Sequence, residues 1–320
     1  MAGALPFRSS PIVCRKAAMI ARRLVLAAAA SLAMAVPASA DDWRRTYPEI
    51  VFSVIPAENS GGVLDRYGPF VAYLSDQLGV KVTLRIANDY AAVIEGLRTG
   101  QVHVAHLGPA AYARAAVVTE GGVEPLVTMA NSQGAIGYYS VLYVRAGDEA
   151  RTIQDLAGRN LCLVDPNSAS GNNVPRFALN KLGIVPETHF AKVVYSGSHE
   201  NAVIGLLQGT CDAAFNWWNT EAESNLMRMA TKGMVKPEDV RIIFKSDLIP
   251  GSPITVMRAL PEPMRAAVRQ AFVDAAEKGR EAFLRISDGN ATRYQPVRTE
   301  DYQVMIDLVR FIDQMRRRRS

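Results

Sequence analysis

The stretch DPNSASGNNVPRFAL (165–179) follows the short apolar run NLCLV (160–164) and leads into a helical pattern. Small hydroxyl residues cluster where a strand should stop and a helix begin. The first N–H groups of a helix have no intrahelical partner, and the dipole there favours negative charge. Ser168 and Ser170 add hydroxyl donors, and Gly171 would let a ligand approach the backbone. One serine would be an ordinary cap. Two of them around the small Ala169, at the C-terminal edge of a sheet, predict an anion cradle. The competing reading is a serine nucleophile with His199 as its base. It is disfavoured because NSASG lacks the leading glycine of the G-x-S-x-G elbow.

Working outward, apolar runs alternate with amphipathic stretches on both sides. EIVFSVI (49–55), VKVTLRI (80–86), VHVAHL (102–107) and VEPLVTMA (123–130) read as strands. GPFVAYLSDQLG (68–79), DYAAVIEGLRTG (89–100) and PAAYARAAVV (109–118) read as the helices between them. The pattern restarts at YYSVLYVRA (138–146), a strand long enough to cross between domains. NLCLVD, AKVVYSG (191–197), CDAAFN (211–216) and VRIIFKS (240–246) follow as strands, with helices near 170–182 and 198–208. LIPGSPITVMRAL (248–260) is a second crossover, and the remainder reads as mostly helical. Repeated β-α alternation argues for α/β domains with largely parallel sheets. The expected architecture is two α/β lobes joined by two crossover strands: 41–139 plus 254–320, and 140–253. A ligand would sit in the cleft between them.

The first forty residues read as an export signal. Arg8, Arg15, Lys16, Arg22 and Arg23 precede the apolar run LVLAAAASLAMAV, and PASA then suggests cleavage near Ala40. This is the order of a secretory signal, with an apolar run too short to span a bilayer. Of the 36 Lys+Arg, these five fall in the signal, which has no acidic residue; 31 then face 31 Asp+Glu. A basic surface for nucleic acid is therefore not expected. The mature chain should be exported to the periplasm, soluble, not membrane-spanning, and monomeric. Cys162 and Cys211 remain after cleavage. In an oxidising compartment they are either a disulfide or two buried thiols.

Other residues stand out. SGSHENAVIGLLQG (196–209) repeats the strand-to-helix theme, with Ser198 as cap and His199 in the first turn, where its imidazole could donate to the same anion. His103 and His106, three apart on a strand, point to opposite faces and do not suggest a metal site. Tyr90 opens a helix and Tyr138 opens the first crossover. In FNWWNTE (215–221), Trp217 and Trp218 follow a strand; on a loop they would wall a ligand or contact a cation.

In order, NDYAAVIEGLR, GYYSVL, DPNSASG followed by VP, SGSHENA and KSDLIPGSPI resemble the periplasmic phosphonate-binding proteins of ABC transporters, over about residues 49–260. The resemblance implies the two-lobed type II fold, no enzymatic activity, no cofactor or metal, and delivery of a small oxyanion to a membrane permease. A periplasmic sensor subunit for a receptor kinase is the alternative. By position, Ser168, Ser170 and the N–H groups around Ala169 would hold the anion, completed by Tyr90, Tyr138 and His199. Ala169 stands where the family usually has threonine. Members that take aminoalkyl-phosphonates place two carboxylates around the amine. Those positions here are Ser252 and either Asn219 or Glu221, with Trp217 close by. The resemblance thus points away from 2-aminoethylphosphonate and toward phosphite, phosphate or a methyl-type or bulkier phosphonate.

Overall fold

Strands and helices alternate from Glu49 onward in a computed structural model that describes residues 1, 3 and 43–317. Apart from residues 1 and 3, the expected signal segment lies outside the described residues. The unit that carries both sheets starts at Thr46.

Strands β1 (Glu49–Val54), β2 (Lys81–Ile86), β3 (Val104–His106) and β4 (Val123–Asn131) alternate with helices Ser60–Leu78, Tyr90–Arg98 and Pro109–Val118. The chain then leaves along β5 (Tyr139–Arg145). It builds a second sheet from β6 (Asn160–Leu163), β7 (Lys192–Tyr195), β8 (Ala213–Thr220), β9 (Glu223–Ser224) and β10 (Val240–Lys245). It returns along β11 (Pro253–Met257) and adds β12 (Ala291–Pro296). The sheet orders are β12-β4-β11-β3-β1-β2 and β10-β5-β8-β6-β7, with β9 on β8.

Both sheets are mixed rather than purely parallel, for a topological reason. β1 pairs in parallel with β2 and β3, and β6 with β7 and β8. The crossover strands enter from the opposite lobe, so β11 runs antiparallel to β3 and β4, and β5 antiparallel to β8 and β10. The region after Pro261, read from sequence as mostly helical, also holds β12, which pairs with β4 through ATRYQP.

Each βα turn is fixed by its own chemistry. Asp89 Oδ1 accepts the Ala92 N–H at 2.7 Å and starts the Tyr90 helix; Ser198 Oγ accepts the Asn201 N–H at 3.1 Å and starts the His199 helix. Pro109 sits at the first position of its helix, where no N–H is needed. Cys162 and Cys211 are bonded, with Cα atoms 5.7 Å apart, within the geometric range of a disulfide. The C-terminal helix Gln303–Arg317 packs on the Pro109–Val118 helix, with Arg114 gripping Asp313 through two bonds of 2.6 and 2.7 Å. It also reaches the second lobe, where Phe311 meets Phe177 edge-on.

Candidate functional site

The segment after β6 does not open directly as an α-helix. Ala169–Asn173 form a wider π-turn, and the α-helix begins at Val174. Ser168 Oγ accepts the Gly171 N–H at 3.0 Å, and the Gly171 carbonyl accepts the Val164 N–H at 3.0 Å. Gly171 therefore has both backbone groups engaged. A Cβ there would collide with the Val164 side chain. The glycine is needed for close packing against the end of β6, and not for ligand approach as the sequence suggested. The donors left over at the turn are the N–H groups of Ala169 and Ser170, which have no intrahelical partner, and the two serine hydroxyls.

These groups face a cleft of about 210 Å³ lined from both lobes. Of the residues singled out by sequence, Tyr90, Tyr138, Ser168, Ala169, Ser170, His199, Trp217, Asn219 and Ser252 line it. Glu221 does not; it is exposed in the turn between β8 and β9. Glu223, two residues on, lines the cleft instead and accepts from Asn219 Nδ2 at 2.8 Å.

Tyr90 is 1 % exposed, and its hydroxyl has no hydrogen-bond partner among the described residues. It faces Ser168, and burial raises its pKa well above the usual phenol range. Ser170 and Ser252 lie beside the Tyr138 hydroxyl, whose pKa burial also raises. Ser140 Oγ donates to the Ser170 carbonyl at 2.6 Å and fixes the turn to the first crossover strand. Thr128 Oγ1 donates to the Ser252 carbonyl at 2.9 Å, and the Tyr302 hydroxyl to that of Gly251 at 2.9 Å, so the second crossover is anchored to the first lobe. His199 Nδ1 lies 3.0 Å from Asn216 Oδ1. Its pKa is pushed down to about 3, first by burial. The arginines that line the same cleft, Arg66 and Arg228, are paired with Glu58 and Asp288. The donors left over at the turn are dipoles, which suits a small anion whose partners must be hydrogen bonds.

The tryptophans belong to β8, not to a loop after it. Neighbours on a strand point to opposite faces. Trp217 lines the cleft, with the Arg228 guanidinium 4.9 Å from its ring centroid. Trp218 turns away to Tyr139 and Lys245.

The mouth of the cleft was not legible in the sequence and is densely charged. A second hollow meets the cleft there and shares Arg66, Trp217, Glu223, Arg228 and Asp288 with it. Glu58 pairs with Arg66 at 2.5 Å and with Lys232 at 2.7 Å. Lys232 also pairs with Glu200 at 3.0 Å, and Arg228 with Asp288 at 2.7 Å. Burial alone would raise the Glu58 carboxyl, but Arg66, Arg228 and Lys232 outweigh it and hold it below the usual range. Among the described residues Glu223 has no ion-pair partner, and burial raises its pKa. His103 Nδ1 accepts the Val51 N–H at 2.9 Å, whereas His106 Nδ1 meets the Tyr67 hydroxyl at 2.7 Å in the cleft wall.

The family model for the periplasmic substrate-binding protein of ABC phosphonate transporters matches residues 52–302. The chain is 34% identical over 273 residues to a phosphate-import protein from Mycolicibacterium smegmatis, covering 80% of this chain and 84% of the relative. It is 30% identical over 242 residues to the phosphonates-binding periplasmic protein of Escherichia coli, covering 74% of this chain and 68% of that one. The crystal structure of a binding-protein component of an ABC phosphonate transporter from Pseudomonas aeruginosa superposes with a TM-score of 0.73 at 26% identity, covering 82% of this chain and 85% of that one.

Proposed function

Because the chain belongs to the periplasmic substrate-binding family of ABC phosphonate transporters, we propose that its cargo is a phosphate-type oxyanion carrying a small or uncharged substituent on phosphorus. The family fixes the general role: a periplasmic component that hands a small ligand to a membrane permease. The relatives' descriptions favour uptake over sensing. In this reading the protein is monomeric and non-catalytic and is exported by cleavage near Ala40. Its lobes hinge where the two crossovers leave and rejoin the first lobe, at 139–140 and 253–254.

The observation that carries the reading is the unpartnered Tyr90 hydroxyl facing Ser168 in a wall of neutral donors. A buried polar group without a partner costs free energy, and a ligand oxygen would supply the partner. Ser168, Ser170, Tyr90, Tyr138 and the N–H groups of Ala169 and Ser170 would donate to the oxyanion. The substituent would face Trp217 and the mouth. There an ammonium would meet the guanidinium groups of Arg66 and Arg228, while Glu58 and Asp288 are already paired. Among the described residues, Glu223 is the cleft-lining carboxylate left to it.

Calorimetric titration against phosphite, phosphate, methylphosphonate and 2-aminoethylphosphonate tests this. The expected order places 2-aminoethylphosphonate last. Its binding more tightly than the other three would make Glu223 a cation subsite and overturn the substituent assignment. Silence toward all four would remove the oxyanion reading.

A further inference from the structure

His199 is held in one tautomer, and that tautomer has a consequence for what the cleft accepts. The inference rests on the reading that a phosphate-type oxyanion occupies the cradle. Asn216, buried on β8, fixes the imidazole and is itself fixed at both ends. Its Nδ2 donates to the His199 carbonyl at 2.9 Å, and its Oδ1 accepts the Trp217 N–H at 3.0 Å. Exchanging the amide O and N would set donor against donor and acceptor against acceptor, so the chemistry decides the orientation. The atom 3.0 Å from His199 Nδ1 is therefore an acceptor, and Nδ1 carries the proton. A neutral imidazole protonated there has a bare lone pair on Nε2. His199 lines the cleft while its Nδ1 faces Asn216, so Nε2 is the polar atom it offers a ligand. The sequence had suggested a donor to the anion; the neutral ring presents an acceptor.

The surrounding charges do not reverse this. Burial and then Arg228, from the Asn225–Thr231 helix, hold the imidazole neutral. Glu200, the next residue on its own helix, is engaged by Lys232 and by the N–H and side-chain amide of Asn59. Glu58 from the first lobe is engaged by Arg66 and Lys232. His106 from β3 is neutral as well, with burial pushing it down to about 4. The Tyr90 and Tyr138 phenols stay protonated. Asp165 and Glu223 have carboxyls raised by burial.

A bare Nε2 repels a deprotonated oxygen and welcomes a hydroxyl. We propose that His199 sets the protonation state of the cargo: its Nε2 accepts a hydrogen bond from a ligand hydroxyl. The cleft then takes a tetrahedral oxyacid together with one proton and rejects a permanently deprotonated dianion of similar size, such as sulfate. The proton lies on the line between Nε2 and the ligand oxygen, and binding makes and breaks no other bond to hydrogen.

The sign of the pH dependence follows. For methylphosphonate, whose dianion has no hydroxyl, the proton is held more tightly in the complex than in free ligand, so affinity is full below its second pKa and is lost as pH rises above it. The phosphate dianion still carries one hydroxyl and keeps its affinity. Inorganic phosphate and methylphosphonate are titrated calorimetrically from about pH 5 to about pH 9, a range that spans the second ionisation of a phosphoryl group. Ionic strength is held constant, and two buffers of different ionisation enthalpy are used. Above the bend, methylphosphonate affinity should fall about tenfold per pH unit with uptake of one proton. Inorganic phosphate, whose dianion retains one hydroxyl, should show no such fall, and sulfate should not bind. His199→Gln, whose amide can donate, should flatten the slope and admit sulfate; the wild-type profile decides the matter alone if that variant does not fold. Wild-type methylphosphonate affinity that is level across the bend, or sulfate bound as tightly as phosphate, overturns the assignment while leaving the oxyanion cargo intact. If neither phosphate nor methylphosphonate binds at any pH, both readings fall together.

Discussion

The two ends of the cleft are built from opposite materials. The cradle around Ser168, Ser170, Tyr90, Tyr138 and Ser252 carries no formal charge of its own, only hydroxyls, N–H groups and a neutral imidazole. The mouth is a network of ions: Glu58, Arg66 and Asp288 from the first lobe, and Glu200, Arg228 and Lys232 from the second. Contacts in it that cross between lobes include Lys232 to Glu58 at 2.7 Å, Arg228 to Asp288 at 2.7 Å, and the Asn59 N–H and side-chain amide to Glu200 at 2.8 and 3.0 Å. Dipoles discriminate among anions by the direction and protonation of each bond. Ion pairs are stronger and less particular, and here they clasp one lobe to the other. The charge sits where the protein closes, and the neutral donors sit where the cargo would be chosen.

That division is most directly broken at Glu58. Its side chain is 2 % exposed and pairs with both Arg66 and Lys232. Glu58→Ala would leave the Arg66 guanidinium, itself mostly buried, without its closest counter-charge. Removing one partner of a buried pair costs about 3–5 kcal/mol. Urea denaturation of the ligand-free protein should show a loss of that order, and small-angle scattering should show a larger radius. Glu58→Gln, which retains hydrogen-bonding atoms, should lose less. A loss below about 1 kcal/mol would place the mouth among ordinary surface pairs.

The cradle should answer to different substitutions. Ser170→Ala should weaken binding of phosphate or a phosphonate by about 1.5–3 kcal/mol, the worth of a hydrogen bond to a charged group. Its melting temperature in the absence of ligand should hardly move. Ser168→Ala should weaken binding similarly and also cost about 1 kcal/mol of stability, because Ser168 Oγ caps the Gly171 N–H. Calorimetry and thermal melts on the two variants separate ligand contact from capping. Equal stability losses in both would mean that Ser170 has a structural role that its contacts do not show.

The cradle could be read from sequence and the mouth could not, and the reason is locality. DPNSASG and SGSHENA each hold a strand end, a cap and a ligand-facing group within a few residues, so the same local chemistry that shapes the turn also marks the site. The β-α alternation likewise carries both sheets, because it is a short-period pattern. Glu58, Arg66, Arg228, Lys232 and Asp288 come from distant segments, and each alone resembles a solvated surface charge. Only the fold brings them together. The misreadings are also local. Read from sequence, Trp217 and Trp218 belong on a loop because two adjacent indoles cannot face one core, yet a strand satisfies them by sending them to opposite sides. The sequence offers Asn219 or Glu221 and passes over Glu223, because the length of the β8–β9 turn cannot be counted from residue types. Gly171 reads as a ligand approach because its packing partner, Val164, belongs to the preceding strand end.

The smallest expected effect separates the two regions without altering the cradle. Salt screens exposed charges over a Debye length of about 8–10 Å near physiological ionic strength and acts much less on buried pairs. The Asp288 side chain is 32 % exposed and that of Lys232 29 %, so the lobe-crossing pairs they make are partly screened. Hydrogen bonds from neutral donors inside the cleft are not. Raising the salt concentration about tenfold with a non-binding salt should therefore loosen the clasp by no more than about 1 kcal/mol, read as a faster ligand off-rate in stopped-flow displacement. Asp288→Asn removes the Arg228 ion pair between lobes and should reduce that salt response, while Ser170→Ala should leave it unchanged despite weaker binding. If Ser170→Ala alone abolished the salt response, the anion would be held by screened charge, and the distinction between a neutral cradle and a charged mouth would fail.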